Sequence, residues 1–153
     1  MARKVNVIED LNGKKTVFIH DILFKGKRAV NWEEVEKYLR QYVGEFYQIE
    51  DCNKMIYIGS DLPDEYTHSN YTRILKGANA KAKANATQGL PELLKIATNE
   101  VYEDNRKEKH SKDAKYGWYS YDSRFALPVF GDDGEIECFD SICGGGKITE
   151  REC

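Results

Sequence analysis

A chain of 153 residues with 41% hydrophobic and 12% aromatic side chains is long enough to bury one core, and its 32% charged residues and mean hydropathy of −0.68 give that core a wet surface. The net charge of −3 is unevenly spread, with 10 Lys/Arg against 12 Asp/Glu in residues 1–66, 11 against 7 in residues 67–130 and 2 against 7 in residues 131–153. No apolar run approaches a membrane span, and a basic centre between acidic ends excludes DNA binding over the whole surface while leaving room for a local basic groove.

Residues 4–8 and 15–19 are β-rich runs around Asp10-Leu11-Asn12-Gly13, which predicts an opening hairpin. The leading MARKVNVIED lacks the apolar heart of a signal peptide, so the expected location is cytoplasmic. His20, at a strand end, reads as a structural residue. A basic turn at Phe24-Lys25-Gly26-Lys27-Arg28 leads to Asn31, which caps a helix with Glu34 at the third position. Trp32, Val35, Leu39, Tyr42 and Val43 recur at helical spacing up to Gly44, and the aromatics Trp32, Tyr38, Tyr42, Phe46 and Tyr47 are expected in the core. Residues 54–58 (KMIYI) form a short strand, followed by a loop over residues 59–64. Asp61, Asp64 and Glu65 there lack the spacing of a calcium loop and read as a solvated acidic turn.

Residues 70–87 read as one alanine-rich helix, with Ile74, Ala78, Ala82 and Ala86 on one side and a basic stripe of Arg73, Lys76 and Lys83 on another. Gly89-Leu90-Pro91 breaks it and starts a second helix whose buried side, Leu93, Leu94, Ala97 and Val101, runs on toward Lys107 and His110. After Gly117 the period alternates: Tyr119, Tyr121, Ser123, Phe125, Leu127 and Val129 face one way, and Pro128 confines this strand to an edge or a bulge. Gly131-Asp132-Asp133-Gly134 is a turn and residues 135–141 the returning strand. Residues 143–153, with three glycines, are expected to be a flexible tail.

Chemistry concentrates in residues 100–130. Arg106, Lys107, Lys109, Lys112, Lys115 and Arg124 alternate there with Tyr116, Trp118, Tyr119 and Tyr121, beside His110. Taken singly, each lysine reads as part of a solvated helix face. Taken together, cations that neutralise phosphates and rings that stack on bases suit a nucleic acid, with Arg73, Lys76 and Lys83 flanking the groove. Gly146-Lys147 lacks the upstream glycine of a phosphate loop. The four cysteines, Cys52, Cys138, Cys143 and Cys153, are too few for a disulfide scaffold and are expected as free thiols, with no metal site and no cofactor. Metal-free RNA cleavage needs a base for the 2′-hydroxyl, a cation for the phosphate and an acid for the leaving oxygen. Lys109, His110, Lys112, Tyr121, Ser123 and Arg124 include those types.

Phe24-Lys25-Gly26-Lys27-Arg28, Tyr57-Ile58-Gly59-Ser60-Asp61, Leu75-Lys76-Gly77, Lys81-Ala82-Lys83-Ala84-Asn85-Ala86, residues 109–119 (KHSKDAKYGWY) and residues 121–129 (YDSRFALPV) resemble a family of phages and mobile elements of Firmicutes, akin to the barnase, EndoU, colicin and RelE nuclease group. The resemblance implies an α+β fold with helices against a small antiparallel sheet, and metal-independent chemistry on RNA. It carries Lys109, His110 and Arg124 over as catalytic positions, with Tyr121 assisting. After Phe139 the likeness stops. Such proteins continue with strands that complete the sheet, whereas here the glycine run and polar end imply a truncated site and an exposed edge open to a homo-oligomer. The expectations are therefore one α+β domain over residues 1–142, with an N-terminal hairpin and helix in 1–66, a helical and nuclease-like part in 67–142, and a C-terminal hairpin. The expected partner is RNA or a host nucleic-acid-processing effector protein, the latter if the chain is a non-catalytic anti-defence inhibitor of the anti-CRISPR type.

Overall fold

The computed structural model describes residues 3–25, 29–103, 118–143 and 147–152. The fold is α+β, as the sequence implies. Its main sheet has five strands in the order β1-β2-β7-β8-β9: β1 (Val5–Glu9), β2 (Lys15–Ile19), β7 (Arg124–Phe130), β8 (Ile136–Cys143) and β9 (Lys147–Glu152). Two separate hairpins join β3 (Phe46–Ile49) to β4 (Lys54–Tyr57) and β5 (Thr98–Glu103) to β6 (Trp118–Asp122). The helices α1 (Trp32–Leu39), α2 (Leu62–His68), α3 (Asn70–Ile74), α4 (Gly77–Ala86) and α5 (Leu90–Lys95) fill the middle of the chain.

The opening hairpin forms as expected. Asp10 Oδ1 accepts from the amides of Asn12 and Lys14 at 2.9 Å each, and Gly13 takes the left-handed φ of +80° that the turn needs. His20 is structural, bonded to the Asn6 side chain with its ring edge-on to Phe139. The sheet is mixed and not purely antiparallel: Val17 and Phe18 of β2 run parallel to Phe125 and Ala126 of β7, while the other described pairs are antiparallel. That pairing stops two residues before Pro128, so the missing N–H meets no ladder with β2.

Several expectations are corrected. Residues 143–153 are not all tail, because residues 147–152 pair with β8 as β9; charged composition suits a sheet edge as well as a tail. Residues 70–87 are two helices, parted where Leu75 and Lys76 go extended, and Ile74 is left 72% exposed. Residues 98–103 form a strand and not the end of a helix: α5 stops at Lys95, and Asn99 takes a left-handed φ of +54° that no helix accommodates. Ser123 divides the expected long strand into β6 and β7, its hydroxyl donating to Leu93 O at 2.9 Å. Phe46 belongs to β3 and lies 62% exposed against Tyr57, while Tyr47, on the other face, is buried. Asp61 precedes α2 as its N-cap residue, so the acidic stretch enters a helix at Leu62. Cys52 is a free thiol, but Cys138 is disulfide-bonded, against the expectation of free thiols throughout.

Helix α4 ties the core together. Ala80 and Ala84 pack with Val35, Leu39 and Tyr42, whereas Ala82 packs with Val17, Ile19 and Leu127 of the sheet. Small side chains on both sides let the helix lie between the two clusters, which explains the alanine run. Asn85 is fully buried on it. Its Oδ1 accepts from Phe24 N at 3.0 Å and Gln88 Nε2 at 3.1 Å, and its Nδ2 donates to Phe24 O at 3.1 Å and Lys81 O at 2.9 Å. Just beyond, a Cβ on Gly89 would stand 2.9 Å from Val17 Cγ1, so the turn into α5 seats against the sheet only as glycine.

Candidate nucleic-acid interface

The hairpin β5–β6 determines the geometry of the richest polar cluster. Its register runs Thr98↔Asp122, then shifts, then Val101↔Ser120, Tyr102↔Tyr119 and Glu103↔Trp118. The shift surrounds Asn99, whose Nδ2 donates to Asp122 Oδ2 at 3.0 Å. Bulges of this kind re-aim a side chain, and Glu100, next in line, turns to β4. Its Oε1 receives Lys54 Nζ at 2.6 Å and its Oε2 receives the Tyr121 hydroxyl at 2.8 Å. Lys54 also stands 4.0 Å above the Tyr119 ring, and Tyr119 leans on Tyr102 with centroids 5.0 Å apart. Both tyrosines are about half exposed.

Lys54 first, then Tyr121, hold the Glu100 carboxyl below its ordinary range, with a smaller contribution from the Cys52 thiol. Glu100 in turn raises Lys54, and burial followed by Glu100 raises the Tyr121 phenol. Near neutrality the cluster is thus a carboxylate holding an ammonium and a protonated phenol. A lowered carboxylate stabilises the fold above its unfolded value of about 4.3 and loses that contribution as pH falls through the folded value. A raised lysine contributes below its unfolded value of about 10.4 and fades above it. The contact between the two hairpins is expected to hold from roughly pH 5 to pH 10 and release on acidification. In Lys54→Met, the Glu100 carboxyl should titrate at a higher pH than in the parent, as read by carboxyl carbon NMR; an unchanged midpoint would refute this account.

The sequence-derived site residues are distributed as follows. Tyr121 joins the cluster, and Trp118 opens β6 opposite Glu103. Arg106, Lys107, Lys109, His110, Lys112 and Lys115 lie outside the described residues. Arg124 opens β7 and lines a different cleft, of about 730 Å³, with Lys14, Lys95, Asp122 and Asp51 among its walls. Its Nε is buried without a hydrogen-bond partner among the described residues. Acidic and basic side chains share that cleft, and Lys15 already pairs with Glu50 at 3.2 Å, so it is not the basic groove expected.

The stripe of Arg73, Lys76 and Lys83 does not form. Arg73 and Lys76 are exposed, but Lys83 is half-buried, donating to Thr72 Oγ1 at 2.6 Å and lying 4.7 Å from the Tyr66 ring centroid, with burial lowering its pKa. Sequence reading missed Lys54, Glu100 and Tyr102. The signal available for them was the alternation of residues 98–103, which a helical period over Leu94, Ala97 and Val101 obscured. Searches against protein-family models, characterised proteins and solved structures find no match to the chain.

Proposed function

We propose that the chain is a nuclease-like protein of the phage and mobile-element type that binds single-stranded RNA at the Tyr102–Tyr119 end of β5–β6 and cleaves it without a metal ion. The observation that carries this reading is the Tyr102–Tyr119 pair, half exposed with ring centroids 5.0 Å apart and planes tilted by 47°, and the Lys54 ammonium over the Tyr119 ring. Exposed rings take bases, and Arg106, Lys107, Lys109, Lys112 and Lys115, adjacent in sequence, bring the charge that neutralises phosphates. In the cleavage step, His110 removes the 2′-hydroxyl proton and the oxygen attacks phosphorus to form a cyclic phosphate. Lys109 neutralises the developing charge, and the 5′-oxygen leaves with a proton from Tyr121; Arg124, in the other cleft, takes no part in this step. The raised phenol keeps Tyr121 protonated near neutrality, which rules it out as the base of this step. Glu100 is a positioning residue, aiming the Tyr121 hydroxyl and the Lys54 ammonium.

A second reading has its own support. Glu100 occupies both Lys54 and Tyr121, and a polar set closed on itself suits a surface that binds without reacting. On that reading the chain is a non-catalytic anti-defence inhibitor of a host effector nuclease. No described helix is long and apolar enough to cross a membrane. The proposed place of action is the cytoplasm, where the disulfide at Cys138 would meet a reducing thiol pool.

Purified protein incubated with RNA in EDTA is expected to cleave it, with a drop of about a hundredfold or more in His110→Ala and in Tyr121→Phe. Cleavage that persists in both variants overturns the assignment of roles. Intact RNA together with inhibition of a host effector nuclease establishes the second reading instead.

A further inference from the structure

We propose that Glu36, Asp64 and His68 bind one divalent transition-metal ion, zinc being the best fit, and that the ion clips α1 to α2. The proposal is independent of the RNA reading, since these residues lie on other elements.

Asp64 and His68 stand four residues apart on α2, hence on one face of the helix, and that face packs on α1, which supplies Glu36. His68 Nδ1 lies 3.4 Å from Glu36 Oε2 and 3.3 Å from Asp64 Oδ1. Two donors bound to one tetrahedral ion at 2.0–2.1 Å are separated by about 3.3–3.4 Å, so both distances match edges of such a site. The three donor atoms all fall within 4.8 Å of one another. Imidazole with two carboxylates suits zinc and its neighbours, and three protein donors leave the remaining position to water.

The surroundings hold the donors in place. Arg40 Nη2 donates to the other Glu36 oxygen at 2.8 Å, fixing the carboxylate with Oε2 toward His68. Thr67 Oγ1 donates to Pro63 O at 2.7 Å, which leaves an oxygen lone pair for His68 Nδ1, 2.9 Å away. Nδ1 therefore faces three oxygens, and two carboxylates are drawn together across a helix contact. That arrangement calls for positive charge between them. A divalent ion held by these three donors would supply that charge and bridge the two helices.

Titrating the full chain with Co²⁺ at pH 7.5 tests this. The expected result is one saturable equivalent with weak visible bands and no thiolate charge-transfer band, competed away by Zn²⁺. His68→Ala should lower the affinity by about tenfold or more, and Glu36→Gln should do likewise in a chain whose far-UV circular dichroism is unchanged. Thermal unfolding should shift upward with Zn²⁺ in the parent and not in either variant. Unaltered affinity in both variants, a thiolate band abolished by Cys52→Ser, or no saturable binding would each overturn the proposal.

Discussion

Asn85→Leu is expected to lower the free energy of unfolding by about 3–5 kcal/mol, a large part of the 5–15 kcal/mol that holds a domain of this kind together. Leucine keeps the branching of asparagine but is bulkier, so overpacking of this fully buried site adds to the loss of hydrogen bonds. Asn85 Oδ1 and Nδ2 serve both the amide and the carbonyl of Phe24, sixty-one residues away, at 3.0 and 3.1 Å. With leucine those two main-chain groups lose these partners in a dry interior, while Gln88 Nε2 loses its 3.1 Å bond to Asn85 and keeps the one to Asp21 O at 3.0 Å. Each such group costs about 1–3 kcal/mol. Urea unfolding followed by circular dichroism measures the change, and a loss below about 1 kcal/mol would show that the segment around Phe24 finds other partners. Asn85→Asp is a useful companion, because it keeps the acceptor for Phe24 N and removes the donor to Phe24 O.

The largest expected effect on binding falls on the exposed tyrosines. Tyr102→Ala and Tyr119→Ala should each weaken binding of a short single-stranded RNA by about 1–3 kcal/mol, roughly 5- to 150-fold, if each ring carries a base. Stacking releases few counterions, so the dependence of affinity on salt should keep its slope in both variants. Lys54→Met should instead flatten the slope if RNA draws the Lys54 ammonium from Glu100 to a phosphate. Fluorescence anisotropy at several salt concentrations separates the two effects. Equal affinity for parent and both tyrosine variants would remove the rings from the interface, whatever the basic stretch does.

Local signals wrote part of this fold plainly. The Asp-Leu-Asn-Gly turn and the Asn31 cap, whose Oδ1 accepts from Glu33 N at 3.2 Å, are short-range chemistry and were legible as such. Residues 98–103 were not, because Leu93, Leu94, Ala97 and Val101 satisfy a helical period although the backbone turns away at Asn99. The same holds for α3 and α4, where alanine spacing concealed the break at Leu75 and Lys76. At the candidate site, Tyr121 was legible as a polar aromatic in a strand. Its partner Glu100 and the cation Lys54 were not: their meeting joins positions forty-six residues apart through two hairpins, and no local pattern encodes it.

The parallel seam between β2 and β7 carries a consequence for how the molecule is made. Val17 sits beside Phe125, so about a hundred residues must be synthesised before the first hairpin meets its mate in the central sheet. Until then Val17 and Ile19, later fully enclosed, have no covering from that side. Assembly of the sheet must therefore wait on late portions of the chain, which favours slow maturation and an interval in which the nascent hairpin is vulnerable to mispairing.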